Sequence, residues 1–290
     1  MMRLALIGRG RWGQNIERTM RSFGDIDLVV VEKGMDPPAD IAGVLIATPS
    51  STHARLALPF IESGIPTFIE KPMTTSVADA LRLREAALDR GTLVHVGHIY
   101  LHNPAFHALR DALPRIGRIH SVVSEKMNYG PRSDSSVYWD WLPHDLSMAI
   151  TLFGPPRAVR ALTTVRSDDG HAHAGVVATE FAFGHVISNV SSVSHDKRKR
   201  FSVFGDAGTL VFDDAAEDKV ALVLPDGARE TIACGREAPL AEELSVFIDA
   251  IRSGATAVEE IDFAVQVVGA VEAAEESAYQ EGMRLSILAL

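Results

Sequence analysis

The sequence holds a single cysteine, Cys234, and one thiol builds no internal disulfide framework. That fits a reducing compartment, so a cytoplasmic protein is expected. Cys234 itself reads as a small buried hydrophobe rather than a nucleophile. Positive charge is also scarce: 28 Lys and Arg against 38 Asp and Glu leave a net charge of −10. Nucleic acids and anionic membrane surfaces both call for a basic face, so neither is expected as a partner. Long apolar runs are missing as well. Only Leu4-Ala5-Leu6-Ile7 precede Gly8, too short for a signal-peptide core or a membrane span. No repeat or low-complexity tract interrupts the 290 residues, a length that holds one large domain or two modest ones.

What is present begins at that short run. Gly8, Gly10 and Gly13 stand at G-x-G-x-x-G spacing after a strand-like segment, and a helical pattern follows at once. A dinucleotide loop needs this order. The first glycine makes the tight turn, the second lets a pyrophosphate approach the backbone, and the third lets the helix pack close to the sheet. The N–H groups that open the helix, from Arg11 and Trp12 onward, then face the phosphates.

Through the first hundred residues, strand-like and helix-like segments alternate, which predicts a parallel sheet with crossover helices. Strands are expected at Arg3–Ile7, Leu28–Glu32, Gly43–Ala47, Pro66–Ile69 and Leu93–Val96, and helices at Trp12–Phe23, Thr52–Ser63 and Val77–Asp89. Gly64 and Gly91 lie where left-handed helix caps are expected. Between the second and third strands only Lys33–Ala42 intervene, with Pro37-Pro38 among them. Ten extended residues span a gap at about 3.3 Å each but cannot hold a strand and its covering helix. A trimmed sheet follows, with one face bare unless another part of the chain or another subunit covers it.

After Val96 a different pattern sets in. A helix is expected at Pro104–Leu113. Strands are expected at Ile119–Met127, Val159–Val165, Val176–Phe183, Val186–Val193, Phe201–Phe204 and Leu210–Phe212, with Gly184-His185 as a hairpin turn. Short links between successive strands mean antiparallel pairing. Helices at Pro239–Arg252 and Glu259–Glu281 close the chain, and Ile261, Ala264, Val268 and Val271 share one core flank of the last. The expected organisation is a nucleotide domain over residues 1–98 and a substrate and oligomerisation domain of α+β type over residues 99–290.

Several polar clusters fall at chemically useful places. Glu32 ends the second strand, about 20 residues after the glycine loop, where an acid accepts the hydrogen bonds of an adenosine ribose and repels a 2′-phosphate. NAD is therefore favoured; adjacent Lys33 and the trimmed segment leave NADP open, and a plain surface carboxylate is the alternative for Glu32. Ala47-Thr48-Pro49 with Thr52 and His53, and Glu70-Lys71-Pro72, both follow strands at the edge where open α/β sheets bind ligands. Thr52 also suits a helix N-cap.

The motifs Gly8-x-Gly10-x-x-Gly13, Ala47-Thr48-Pro49 with His53, and Glu70-Lys71-Pro72 at these intervals resemble the Gfo/Idh/MocA family of glucose–fructose oxidoreductases and inositol dehydrogenases. Gly97-His98 with Asn103-Pro104, Asn128-Tyr129-Gly130-Pro131-Arg132, Trp139-Asp140-Trp141-Leu142-Pro143-His144-Asp145 and Phe204-Gly205-x-x-Gly208 resemble its branch associated with nucleotide-sugar and surface-polysaccharide metabolism. The resemblance implies a Rossmann domain, a large open antiparallel sheet domain, and hydride transfer between NAD(P) and a carbinol carbon of a sugar, nucleotide sugar or related polyol. It implies that Lys71 contacts the reacting hydroxyl and that Asp140 and His144 form an Asp-x-x-x-His pair with the histidine as proton acceptor. It also places Gly8, Gly10, Arg11, Trp12, Gly13, Glu32, Thr48, Pro49, His53 and Glu70 at the cofactor, and a homodimer or homotetramer is expected.

Chemistry supports the histidine independently, because hydride leaves a carbinol carbon only as the hydroxyl proton is removed, and histidine titrates near neutrality. Pro143 suits the first position of a helix, which would put His144 at a positive helix end that keeps its ring neutral. Tyr129 and Arg132 are candidate substrate contacts, Arg132 as a clamp for a carboxylate or phosphate or as a plain loop residue. Many relatives carry an arginine after Gly97, where this chain has Ile99-Tyr100-Leu101-His102. His171 and His173 lack a second ligand pair, so no metal is expected, and Lys197-Arg198-Lys199-Arg200 reads as a solvated strand lead-in. Two other functions fit the same motifs: glycoside cleavage by transient oxidation with NAD, and a non-catalytic, NAD-responsive binding protein.

Overall fold

The computed structural model describes residues 1–131, 135–168, 170–256 and 258–287. In chain order the first elements are β1 (Met2–Ile7), α1 (Arg11–Met20), β2 (Ile26–Val31), β3 (Gly43–Ile46), α2 (His53–Glu62), β4 (Thr67–Glu70), α3 (Val77–Arg90) and β5 (Val94–Gly97). There follow α4 (Pro104–Ala112), β6 (Ile119–Tyr129), α5 (Val137–Phe153), β7 (Ala158–Arg166), β8 (Ala172–Phe181), β9 (Gly184–Ser191) and β10 (Val193–Gly205). Last come β11 (Gly208–Asp213), β12 (Val220–Val223), β13 (Arg229–Thr231), α6 (Pro239–Ser253), α7 (Val258–Tyr279) and β14 (Leu285–Ser286). They form two compact units, Met1–Ile99 with Ala238–Val268, and Tyr100–Glu237 with Gly269–Leu290.

The first unit carries a five-stranded parallel sheet ordered β2-β1-β3-β4-β5. No strand forms between β2 and β3 among the described residues, so the sheet is trimmed as expected. Local chemistry sets the helix ends. Ser76 accepts a hydrogen bond from the backbone N–H of Asp79 at the start of α3, and Gly91 ends that helix at φ 64°, ψ 31°. Thr52 occupies the N-cap position of α2 but does not cap it, because its hydroxyl donates instead to the Pro49 carbonyl at 2.7 Å.

The bare sheet face is covered by the chain itself. Leu240, Leu244, Phe247 and Ile248 of α6 are buried in one cluster with Ile16 and Met20 of α1 and with Leu4, Leu6, Leu28, Leu45 and Phe68 of the sheet. Strand side chains alternate between faces, so Ala5, Val44, Ile46 and Ile69, all fully buried, turn to the opposite face, where α2 and α3 lie side by side. Each large apolar side chain buried this way contributes about 1.5–3 kcal/mol. A helix that follows the glycine loop by more than 200 residues is thus part of the nucleotide unit's core.

The second unit is built on a nine-stranded sheet ordered β13-β12-β11-β10-β6-β9-β8-β7-β14. Its pairings are antiparallel except for β6 with β9, which run parallel. Three strands, β12, β13 and β14, were absent from the sequence expectation; they hold four, three and two residues, too short to show an alternation. The β8–β9 hairpin turns at Ala182-Phe183 rather than Gly184-His185, since Phe181 pairs with Gly184 across a two-residue loop. Lys197 to Arg200 lie within β10 rather than leading into it, and Arg198 bridges Asp196 and Glu125 at 2.7 and 2.8 Å.

Candidate active site

Parallel pairing brings the carboxyl ends of β1 to β5 to one edge of the first unit's sheet. Ile7 aligns with Val31 and Ile46, so the glycine loop, Glu32 and Ala47-Thr48 leave the sheet at one level. Gly8 has φ 101°, and a Cβ there would meet the Ala47 carbonyl oxygen at 2.5 Å. At Gly13 a Cβ would lie 2.1 Å from the Gly8 carbonyl oxygen, so only glycine lets α1 start this close to the loop. Gly10 caps α1 and a Cβ there would meet nothing within 4 Å. The loop therefore leaves open space at a helix N-terminus whose first turn carries no acid, which fits a pyrophosphate. Arg11 opens α1 on the exposed side, and Glu32 is exposed immediately after β2.

His53 is buried, and its Nδ1 and Nε2 each stand 2.9 Å from a carbonyl oxygen, Pro72 and Thr48 respectively. It ties the Thr48-Pro49 turn to the Glu70-Lys71-Pro72 turn. Burial holds its pKa below the ordinary value, against the pull of the two carbonyls. The Thr48 hydroxyl lies 2.7 Å from that of Thr52 in the same turn.

Glu70 ends β4 opposite Gly97 of β5, and a Cβ on Gly97 would stand 3.2 Å from its carboxylate. Trp12 Nε1 donates to Glu70 Oε1 at 2.5 Å, and the Lys71 backbone N–H donates to Oε2 at 3.2 Å. Burial pushes the Glu70 pKa up to about 7, with the Trp12 bond and the Lys71 charge opposing. Lys71 is half-buried directly after the strand, and its bond to Pro72 is cis.

In the second unit, Asp140 and His144 lie on α5 four residues apart, on one face of the helix. Asp140 is half-buried in the first turn and His144 is 8% exposed. The expected helix start at Pro143 is corrected here. The helix begins at Val137 and Pro143 sits inside it, so His144 is two turns from the N-terminus and no helix-end charge acts on it. An interior proline costs about 3 kcal/mol. Burial of Val137, Tyr138, Trp139, Leu142 and Leu146 outweighs that cost. The helix start is further held by Glu275 of α7, which accepts from Ser136 and, at 2.7 Å, from Trp139 Nε1. Tyr129, at the end of β6, is exposed with its ring stacked on His195 at 4.3 Å. Arg132 lies outside the described residues.

Residues 13–98 match the oxidoreductase family with an NAD-binding Rossmann fold, and residues 108–211 match the GFO/IDH/MocA C-terminal domain. The chain belongs to the Gfo/Idh/MocA family. A putative oxidoreductase from Magnetospirillum magnetotacticum is similar in structure, with a TM-score of 0.84 and 33% identity over 94% of this chain and 99% of that one. The inositol 2-dehydrogenase of Rhizobium meliloti is 25% identical over 88% of this chain and 90% of its own. The UDP-N-acetylglucosamine 3-dehydrogenase of Acidithiobacillus ferrooxidans is 32% identical over 50% of this chain and 44% of its own. The Gfo/Idh/MocA chain described here is accordingly an NAD-binding oxidoreductase, and none of its described helices is long and apolar enough to cross a membrane.

Several buried charged groups of this Gfo/Idh/MocA chain carry no motif. Glu243 of α6 is fully buried, and its pKa is raised well above the ordinary value by burial and by the charges of Glu70 and Glu260. Glu260 Oε1 in turn lies 2.6 Å from Nδ1 of buried His95 on β5. The sequence held one signal for this: Glu243 stands on the stripe Leu240, Leu244, Phe247, at a position helical spacing turns inward. Lys126 of β6 is likewise fully buried, and alternation with Val122 and Ser124 puts it on the inward face.

Proposed function

We propose that this protein is an NAD(P)-dependent dehydrogenase or reductase acting on a CH–OH group of a sugar, nucleotide sugar or related polyol. The observation that carries the reading is Asp140 and His144 one turn apart on α5, in a chain that also bears Lys71 after β4. When bound, NAD supplies a hydride acceptor at the nicotinamide ring. His144 takes the proton of the substrate hydroxyl, the step general bases accelerate by about 10²–10⁴-fold. The Lys71 ammonium stabilises the negative charge that develops on that oxygen, and Asp140 orients the pair. Gly8, Gly10, Arg11, Trp12, Gly13, Thr48, Pro49 and Glu70 hold the cofactor, with His53 bracing the two turns. Glu32 takes the adenosine ribose and selects NAD over NADP. Tyr129 contacts the substrate. The names of the inositol and UDP-N-acetylglucosamine dehydrogenases among the relatives support a polyol or nucleotide-sugar substrate.

A homodimer or homotetramer is part of this reading. Leu162 of β7 pairs with Val176 of β8, and both are exposed, at 56% and 37%. Neighbouring apolar side chains on a sheet face suit packing against a second copy.

The deciding experiment is Lys71→Met assayed with myo-inositol and UDP-N-acetylglucosamine by NADH absorbance. Turnover is expected to fall at least about 100-fold, with NAD affinity changed less than about threefold. Unchanged turnover refutes the role of Lys71. Release of free sugar without net NADH refutes the dehydrogenase reading in favour of glycoside cleavage.

A further inference from the structure

The second unit contains a buried charged cluster that hydride transfer does not by itself require. Lys126 is fully buried, and among the described residues its Nζ makes no hydrogen bond. Nζ stands 4.0 Å from Asp145 Oδ1 and 4.0 Å from the centre of the Tyr100 ring. A lysine taken out of water at this depth is costly unless anions and ring faces repay it. Burial pulls its pKa down to about 8 while Asp145 and Asp214 pull it back up, so it remains mostly charged at neutral pH.

Tyr100 is 6% exposed, and its ring is flanked by Lys126 and Phe212. Burial and the charge of nearby Asp214 raise the pKa of its hydroxyl. Asp214 is itself fixed by Lys219 at 2.8 Å, Lys199 at 3.6 Å and Asn103 Nδ2 at 3.5 Å. The ring lies against Phe212 at 6.0 Å and meets the His144 ring at 5.1 Å with an interplanar angle of 68°. Turning the Tyr100 ring would uncover the lysine. Asp145 follows His144 on α5, so Lys126 also touches the helix that carries the histidine.

We propose that Tyr100, its ring clamped between Lys126 and Phe212, is the positioning residue for the His144 imidazole. The clamp rests on the reading of His144 as proton acceptor. It fixes the ring's orientation before substrate arrives, and misplacement of a reacting group by about 1 Å costs on the order of 100-fold in rate.

The test is a ¹H–¹⁵N imidazole spectrum of the full-length protein, with His144 assigned through His144→Asn, combined with turnover on myo-inositol and UDP-N-acetylglucosamine. Tyr100→Phe keeps the ring and is expected to leave the His144 signals near their wild-type positions, with turnover reduced less than about threefold. Tyr100→Leu removes the ring, and Lys126→Met frees it. Both are expected to move or broaden the His144 signals while those of exposed His120, paired with Asp206, stay in place, and to lower turnover about 10- to 100-fold with NAD affinity unchanged. Undisturbed His144 signals in Tyr100→Leu or Lys126→Met overturn the clamp, as does equal disturbance by Tyr100→Phe and Tyr100→Leu. Unchanged turnover in His144→Asn overturns the proton-acceptor reading instead, and the imidazole spectra still decide the clamp.

Discussion

Glu70→Gln tests the electrostatics of the first unit directly. The Glu70 carboxyl titrates at about 7 in the folded protein against an ordinary 4.5, because burial disfavours its charged form more than Trp12 and Lys71 favour it. Below pH 4.5 it is protonated both folded and unfolded and contributes nothing to pH dependence. As pH rises from 4.5 to 7, the unfolded chain releases this proton before the folded one does, so folding stability falls. Above 7 the loss is complete. Worked through, the loss between pH 5 and pH 8.5 is on the order of 1–3 kcal/mol, the lower end applying if buried Glu243 takes part of the proton. Glutamine matches the protonated acid and stays neutral. In urea unfolding of the cofactor-free protein, the variant is therefore expected to gain about 1–3 kcal/mol relative to wild type on going from pH 5 to pH 8.5. Any fixed offset from the altered Lys71 backbone contact cancels in this difference. A variant-to-wild-type gap that does not change with pH would refute the reasoning and make Glu70 an ordinary ionised carboxylate.

Three further outcomes are expected. Gly13→Ala sets a methyl 2.1 Å from the Gly8 carbonyl oxygen. The loop must shift, so NAD affinity by calorimetry should weaken at least about tenfold, with a stability loss of about 1–3 kcal/mol; wild-type affinity would contradict the close packing. Phe247→Ala empties a fully buried site between α6 and the first unit's sheet, and a loss of about 3–5 kcal/mol in urea unfolding is expected. A loss below about 1 kcal/mol would mean that α6 is dispensable there. Glu32→Ala is expected to raise the ratio of NADP to NAD affinity by removing the charge opposed to a 2′-phosphate; an unchanged ratio would show Glu32 to be a surface carboxylate.

The parts legible in the sequence were those set by neighbouring residues. β1 to β5 and α1 to α3 stand within a few residues of where periodicity and glycine placed them. Gly91 caps α3 because a left-handed turn there needs no Cβ, and that requirement is local. The short Lys33–Ala42 segment announced the trimmed sheet by length alone. Pro143 misled because proline was weighed only against its own backbone, whereas burial on both sides of α5 carries the helix through it. Gly184 misled because glycine marks the strand position after the turn as readily as the turn itself. The resemblance brought in Lys71, Asp140 and His144 as residues; their neighbours Tyr100, Lys126 and Glu243 carry no motif.

By itself, then, the sequence determined the glycine loop, the order of strands and helices, the shortened first sheet and the family. Each of these depends on spacing and local conformational preference over a few to a few tens of residues. Only the tertiary structure decided that α6 covers the nucleotide sheet, that Glu243 and Glu70 share a dry environment, and that Lys126 sits beneath Tyr100 beside His144. Those contacts join residues from tens to more than 200 positions apart. Burial and charge act through space, and the periodicity of one segment carries no record of which distant segment will close over it.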